Sequence, residues 1–180
     1  MKQKVSIGNR TFELFIPGDQ IDQRIGQMAA ELNEKYKEAS PVFISILNGS
    51  FMFTADLLKK INIPCQLSFV KLASYTGITS SGQVKELVGL AEDIRGRQII
   101  ILEDIVDTGL TVSSIINQLK TREPAGITVV TLLEKPECLK AAIKVDYAGF
   151  SIPDKFVVGY GLDLDGYGRN LPDIYQLSTA

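Results

Sequence analysis

Apolar positions in this 180-residue chain follow two different periods in turn. Val5 and Ile7, then Phe12, Leu14 and Ile16, alternate with other residues on either side of Gly8-Asn9, which predicts two short strands joined by a tight turn. Pro17-Gly18-Asp19 predicts a break, with Asp19 as the cap of a helix. Ile21, Ile25, Met28, Ala29, Leu32 and Tyr36 then recur every three or four residues, one apolar helix face ending near Ala39. Beyond it, β-branched runs predict strands at Val42 to Leu47, Leu67 to Leu72, Gln98 to Glu103, Ile127 to Leu133, Asp146 to Phe150 and, briefly, Phe156 to Tyr160. Helices are expected from Phe51 to Lys60 and from about Leu110 to Arg122. Buried strands alternating with amphipathic helices predict an α/β fold, a mostly parallel twisted sheet flanked by helices.

One connection breaks this rhythm. The stretch after Leu72 begins Ala73-Ser74-Tyr75-Thr76-Gly77 and continues rich in Gly, Ser and Thr, and Val84 to Val88 predicts a short strand at its far end. Such a segment reads as a mobile hairpin or as a plain surface insertion.

Length and composition narrow the class. With 45% apolar residues the chain supports one core, hence a single domain. Nineteen basic against 21 acidic side chains give a net charge of −2, which argues against coating nucleic acid or a membrane surface. The longest apolar run, Ile99 to Leu102, is far short of a membrane span, and no apolar stretch behind Met1 to Ser6 suggests a signal peptide. Cys65 and Cys138 form no CxxC pair and read as packed free thiols, so a cytoplasmic setting is expected. The chain has no histidine, which excludes serine–histidine and cysteine–histidine mechanisms and histidine metal sites. A general base must be a carboxylate, a lysine, a tyrosine or a thiolate.

Ile99 to Thr111 concentrates the candidate chemistry. A buried strand runs into Glu103, Asp104 and Asp107, then into Thr108-Gly109-Leu110-Thr111 at the start of a helix. In open α/β sheets ligands collect at the carboxyl ends of strands. Thr108 to Thr111 offer successive N–H groups and two hydroxyls at a helix N-terminus, a phosphate cradle, and Gly109 allows close backbone approach. Glu103 and Asp104, upstream of the cradle, suit neutral hydroxyls or a hard divalent cation. Helix capping accounts for one of these acids but not for three within five residues.

Glu103-Asp104-Ile105-Val106-Asp107-Thr108-Gly109-Leu110-Thr111 resembles the phosphoribosyl pyrophosphate motif of purine phosphoribosyltransferases. The whole chain resembles their hypoxanthine-guanine branch through Leu47-Asn48-Gly49-Ser50, Ser74-Tyr75, Leu133-Glu134-Lys135-Pro136, the segment Pro153 to Asp163, and Tyr167-Gly168-Arg169. The resemblance implies the type I fold, with a core over about residues 19–150. A small hood would come from the N-terminal hairpin and the C-terminal segment, and a lid from about residues 73–88. It implies transfer of ribose 5-phosphate from phosphoribosyl pyrophosphate to N9 of hypoxanthine or guanine, giving IMP or GMP and pyrophosphate.

By that resemblance Asp107 is the general base at purine N7, and Asp107, Thr108, Gly109, Leu110 and Thr111 hold the 5′-phosphate. Glu103 and Asp104 bind the ribose, and with Asp163 they hold Mg²⁺. Leu47, Asn48, Gly49 and Arg169 bind pyrophosphate, with a cis peptide expected between Leu47 and Asn48. Relatives often carry a basic residue where Asn48 stands. Lys135 donates to purine O6, Phe156 stacks on the ring, backbone groups of Val157 and Asp163 read the remaining edge, and Ser74 and Tyr75 close the lid. Read without the resemblance, Arg169 is a surface arginine, Lys135 a solvated strand-end lysine and Phe156 a core residue. The partners implied are small molecules, in a homodimer or homotetramer, with no nucleic acid and no membrane.

Three other readings compete. A non-catalytic regulator usually carries a basic face or an added nucleic-acid-binding domain, and the sequence shows neither. An enzyme for adenine or a pyrimidine fits poorly with Lys135. An unrelated nucleotide binder lacks its motif, since no GxGxxG follows a strand and no GxxxxGK[ST] occurs. Whether xanthine is also a substrate stays open.

Overall fold

Ile99, Ile100, Ile101 and Leu102 are all fully buried, which requires cover on both faces of their strand. The computed structural model, which describes residues 3–74 and 85–178, supplies that cover. In chain order its elements are β1 (Lys4–Ile7), β2 (Arg10–Ile16), α1 (Gly18–Lys35), β3 (Val42–Ile46), α2 (Phe51–Leu58), β4 (Gln66–Ser74) and β5 (Lys85–Val88). There follow β6 (Gln98–Val106), α3 (Leu110–Lys120), β7 (Gly126–Glu134), β8 (Tyr147–Ser151), β9 (Val157–Val158) and β10 (Ile174–Leu177).

The main sheet runs β5-β4-β3-β6-β7-β8. Its strands β4, β3, β6, β7 and β8 are parallel, and β5 pairs antiparallel with β4 at the edge. The predicted mostly parallel sheet is therefore present. Alternation along β6 sends Ile100 and Leu102 into a core with α1 and α2, and Ile99 and Ile101 into a second core with Val112, Ile115 and Leu119 of α3. Complete burial of each such aliphatic side chain stabilises the fold by about 1.5–3 kcal/mol. The outer edge at β8 is blunted by Arg24, whose guanidinium donates to Gly149 O at 3.0 Å and Ala148 O at 2.8 Å.

A second, antiparallel sheet, β1-β2-β10-β9, joins the two ends of the described chain around buried Phe12, Val158 and Tyr175. Two sequence expectations change here. The strand expected at Phe156 to Tyr160 shortens to Val157–Val158 and lies in this sheet rather than in the parallel one, because its partner is β10, which the apolar pattern does not predict. Asp19 is not the cap of α1. The helix begins at Gly18, and the Gly18 N–H is taken by the Asp173 carboxylate at 2.7 Å, a cap supplied from 155 residues away. Among the described residues Asp19 accepts from the adjacent Gln20 N–H alone.

A third difference bears on function. The strand expected to end at Glu103 continues to Val106. Glu103 and Asp104 are thus strand residues, in a strand paired in register with β7, and not members of a loop. The segment between β4 and β5, including Tyr75, lies outside the described residues, as do the side chains of Ser74 and the rest of the expected lid. Among the described residues no helix is long and apolar enough to cross a membrane.

Candidate active site

The carboxyl ends of β3, β4, β6 and β7 converge on one edge of the main sheet, where two cavities open side by side. The larger, about 330 Å³, is lined by Leu47, Asn48, Gly49, Lys71, Glu103, Asp104, Thr111, Asp163 and Arg169, with Ile46 and Leu72. The smaller, about 80 Å³, sits inside the turn from Glu103 to Val112. They share Glu103 and Thr111, so one elongated ligand can occupy both.

The turn is made by backbone. Gly109 has φ of 75°, a left-handed conformation that disfavours a side chain, and precedes the first turn of α3 with no side-chain cap. A Cβ at Gly109 would lie 2.9 Å from Ile143 Cδ1. The Thr108 carbonyl is held by N–H groups of Lys140 (3.0 Å) and Ala141 (3.1 Å), which fixes the turn against the next loop. What faces the small cavity is the N-terminal end of α3 with Thr108 and Thr111, an anion-binding arrangement.

The loop after β3 is fixed by three buried hydroxyls. Ser45 Oγ lies 2.7 Å from both Ser50 Oγ and Thr54 Oγ1, and Ser50 donates in turn to Ile46 O. The peptide between Leu47 and Asn48 is cis, as the family resemblance implies. Gly49 is hemmed in on two sides, because a Cβ there would overlap the Asp104 carboxylate, while the Gly49 carbonyl occupies the space where a Cβ on Gly161 would lie. Gly49 and Gly161 thereby let three loops close around one cavity.

Asp104 lies against the loop after β3, its carboxylate filling the space that a Cβ on Gly49 would need, and Glu103 is buried beside it with its carboxyl hydrogen-bonded to that of Asp104. Burial, reinforced by the Asp104 charge, pushes the Glu103 carboxyl well above its ordinary range. Burial also raises Asp104, against the opposing pull of backbone N–H groups and Arg169. Glu103 Oε2 is buried without a hydrogen-bond partner, an unmet demand for a donor or a cation.

Arg169 is not the free surface arginine that its sequence context allows. Its guanidinium donates to Gly161 O at 2.7 Å and pairs with Asp163 at 2.6 Å, while the other Asp163 oxygen accepts from the Gly166 N–H at 2.7 Å. Glu103, Asp104 and Asp163 share the cavity, yet among the described residues no three acidic or cysteine side chains form a ready-made cation cluster.

Lys135 directly follows β7 and is 7% exposed, not a solvated strand-end lysine. Its backbone N–H donates to Val106 O at 2.9 Å, which binds the β7 end to the β6 end. Its ammonium lies 3.0 Å from Asp107 and 3.0 Å from Asp154. Burial alone would lower the Lys135 pKa, but the bonds to Asp154 and Asp107 outweigh it and hold the ammonium above its usual value. Asp154 is not among the sequence candidates, although it stands two residues before Phe156 in the same motif. Phe156 is 43% exposed, not a core residue, with its ring 6.2 Å from the ring of Phe12. Val157 beside it is buried. Lys71, a lining residue of the large cavity, is also absent from the sequence candidates, since nothing in an alternating strand marks one lysine as facing a site.

Comparisons with known proteins identify the family to which this fold belongs. The family model of the phosphoribosyl transferase domain matches residues 17–165. The hypoxanthine-guanine phosphoribosyltransferase of Bacillus subtilis is 41% identical over 169 residues, 93% of this chain and 94% of the relative. The hypoxanthine phosphoribosyltransferase of Salmonella typhimurium is 41% identical over 165 residues, covering 90% and 93%. A crystal structure of a Staphylococcus aureus hypoxanthine phosphoribosyltransferase superposes with a TM-score of 0.85 at 38% identity, covering 92% of this chain and 91% of the other.

Proposed function

The chain belongs to the phosphoribosyltransferase family, in its hypoxanthine-guanine branch, and from that membership we propose that it salvages purines. It moves the 5-phosphoribosyl group from phosphoribosyl pyrophosphate to N9 of hypoxanthine or guanine, releasing pyrophosphate. The observation that carries this reading is the 3.0 Å contact between Lys135 and Asp107. It couples a donor-only side chain, suited to a purine carbonyl, to the first residue of the phosphate-binding turn.

The 5′-phosphate sits against the Thr108 to Thr111 backbone at the start of α3. Glu103 and Asp104 accept from the ribose hydroxyls. The donor set also fits a hard divalent cation, because Glu103 has a buried, unpartnered oxygen and Asp104 and Asp163 line the same cavity. Glu103, Asp104 and Asp163 would hold Mg²⁺, directly or through water, and the bound ion would neutralise charge on the departing pyrophosphate. Asn48 and Gly49 of the loop after β3, with Arg169, bind the pyrophosphate end.

In the purine pocket Phe156 offers its exposed ring face for stacking, and Lys135 donates to O6. Backbone groups of Val157 and Asp163 read the far edge. Asp107 takes the proton from N7 as N9 attacks the sugar, and its bond to Lys135 keeps base and purine reader in register. Ser74 and Tyr75 belong to a lid that excludes water from an oxocarbenium-like sugar. Together, β1, β2, β9 and β10 act as a hood over this pocket. A cytosolic dimer or tetramer completes the proposal, supported by Leu67 and Phe69, both exposed on one face of β4.

Turnover with phosphoribosyl pyrophosphate and Mg²⁺ against hypoxanthine, guanine, xanthine and adenine tests the assignment. Activity on the 6-oxopurines and none on adenine is expected. Asp107→Asn should lower kcat by roughly 10²–10⁴-fold with phosphoribosyl pyrophosphate binding retained. Wild-type turnover in that variant would remove Asp107 from the mechanism.

A further inference from the structure

In a phosphoribosyltransferase the large cavity receives the diphosphate of the sugar donor, and a role for its cations rests on that proposed reaction. The fixed charges of the cavity are three acids, Glu103, Asp104 and Asp163, and two cations, Arg169 and Lys71. Arg169 is committed to Asp163 at 2.6 Å and to the Gly161 carbonyl at 2.7 Å. To grip an anion it must share or give up that pair. Asn48, at the mouth of the loop that meets the diphosphate, carries no charge.

Lys71 differs from both. It is exposed on β4, it lines the cavity, and among the described residues it forms no ion pair. Its place is fixed by register. β3 and β4 run parallel with Ile46 opposite Val70, and the Leu47 N–H donates to Val70 O at 2.8 Å. Lys71, within β4, and the Leu47-Asn48 peptide, just past the end of β3, are therefore neighbours.

We propose that Lys71 is a diphosphate-binding residue of this enzyme, delivering from β4 the positive charge that the neighbouring loop lacks at Asn48. A lysine suits the position. It is a point charge with three donors on a long stem, it follows a ligand whose outline changes as the bond to the sugar breaks, and among the described residues it has no ion pair to give up on binding.

Three variants test this: Lys71→Gln, Lys71→Arg, and the double variant Lys71→Gln/Asn48→Lys. The readouts are the Kd of inorganic pyrophosphate in the presence of Mg²⁺, by calorimetry, and the separate KM values of phosphoribosyl pyrophosphate and purine. Lys71→Gln should weaken pyrophosphate and raise the phosphoribosyl pyrophosphate KM by about tenfold, leaving the purine KM unchanged. Lys71→Arg should keep most of the affinity, and the double variant should recover it by moving the charge one strand over. Unchanged pyrophosphate affinity in Lys71→Gln, or equal weakening of both substrates, overturns the proposal. A wild-type protein that binds pyrophosphate through Lys71 but transfers no phosphoribosyl group overturns the assigned reaction and leaves this site standing.

Discussion

Asp107 to Thr111 are five consecutive residues, and the phosphate-binding role proposed for them resides mainly in backbone N–H groups and one left-handed glycine. The wall opposite is assembled from Lys135, Asp154 and Phe156, with Phe12 behind it from the other end of the chain. One surface is local and made of main chain, while the other is nonlocal and made of side chains, and they touch where Lys135 meets Asp107. The first suits what every phosphoribosyl donor shares. The second suits one class of base, so specificity can change there while the phosphate turn is left alone.

Substitutions can break that division. Beyond the base itself, the largest effect is expected from Lys135→Met, which removes the proposed donor to O6. The loss of a charge-assisted bond should lower kcat/KM for the purine by roughly 10²-fold and change the phosphoribosyl pyrophosphate KM by less than about threefold. Comparable losses on both substrates would mean that the two surfaces are one unit. A smaller effect of opposite selectivity is expected from Gly109→Ala. The left-handed φ costs a side chain about 1–2 kcal/mol, and the new Cβ crowds Ile143, so phosphoribosyl pyrophosphate should bind roughly tenfold more weakly and purine unchanged.

Glu103, on the wall between the cavities, sharpens the comparison least in activity and most in stability. Its folded-state carboxyl is raised above the ordinary 4.5, so the native state holds a proton that the unfolded chain releases first. Stability without cation is therefore lost as pH rises from about 4.5 toward the raised folded value, and is regained on acidification. Glu103→Gln removes this loss. Its Tm should exceed wild type by about 2–4 °C at pH 8 in the presence of a chelator, and match it near pH 4. Equal Tm values at both pH values would show that Glu103 is not a strained buried carboxyl.

Legibility in the sequence follows the same division. The phosphate turn is readable because its chemistry is contiguous, and Gly109 and its flanking threonines stand together. Glu103 and Asp104 are recognisable as candidates, yet the sequence places them at and beyond the end of a strand, because acidic residues ordinarily end a buried strand. Pairing with β7 carries the strand past that point. Asp154, Lys71 and Asp173 escape a local reading for one reason. Each has its counterpart many positions away, Asp154 at Lys135, Lys71 across a shared cavity from the Asn48 loop and Asp173 at the Gly18 N–H, and no local period records such a partnership. Strand β10 escapes it likewise, since its four residues become a strand only through pairing with β2 and β9.

That pairing bears on how the molecule is made. β2 must wait for a strand more than 150 residues later before Phe12 and Tyr175 can close over Val158. All six strands of the main sheet lie at or before Ser151, so its pairing needs nothing from β9 or β10. The wall behind Phe156, by contrast, is complete only when β10 has paired with β2 and β9. A chain cut short before Ile174 would keep every strand that carries the phosphate turn and lose the backing of the purine wall.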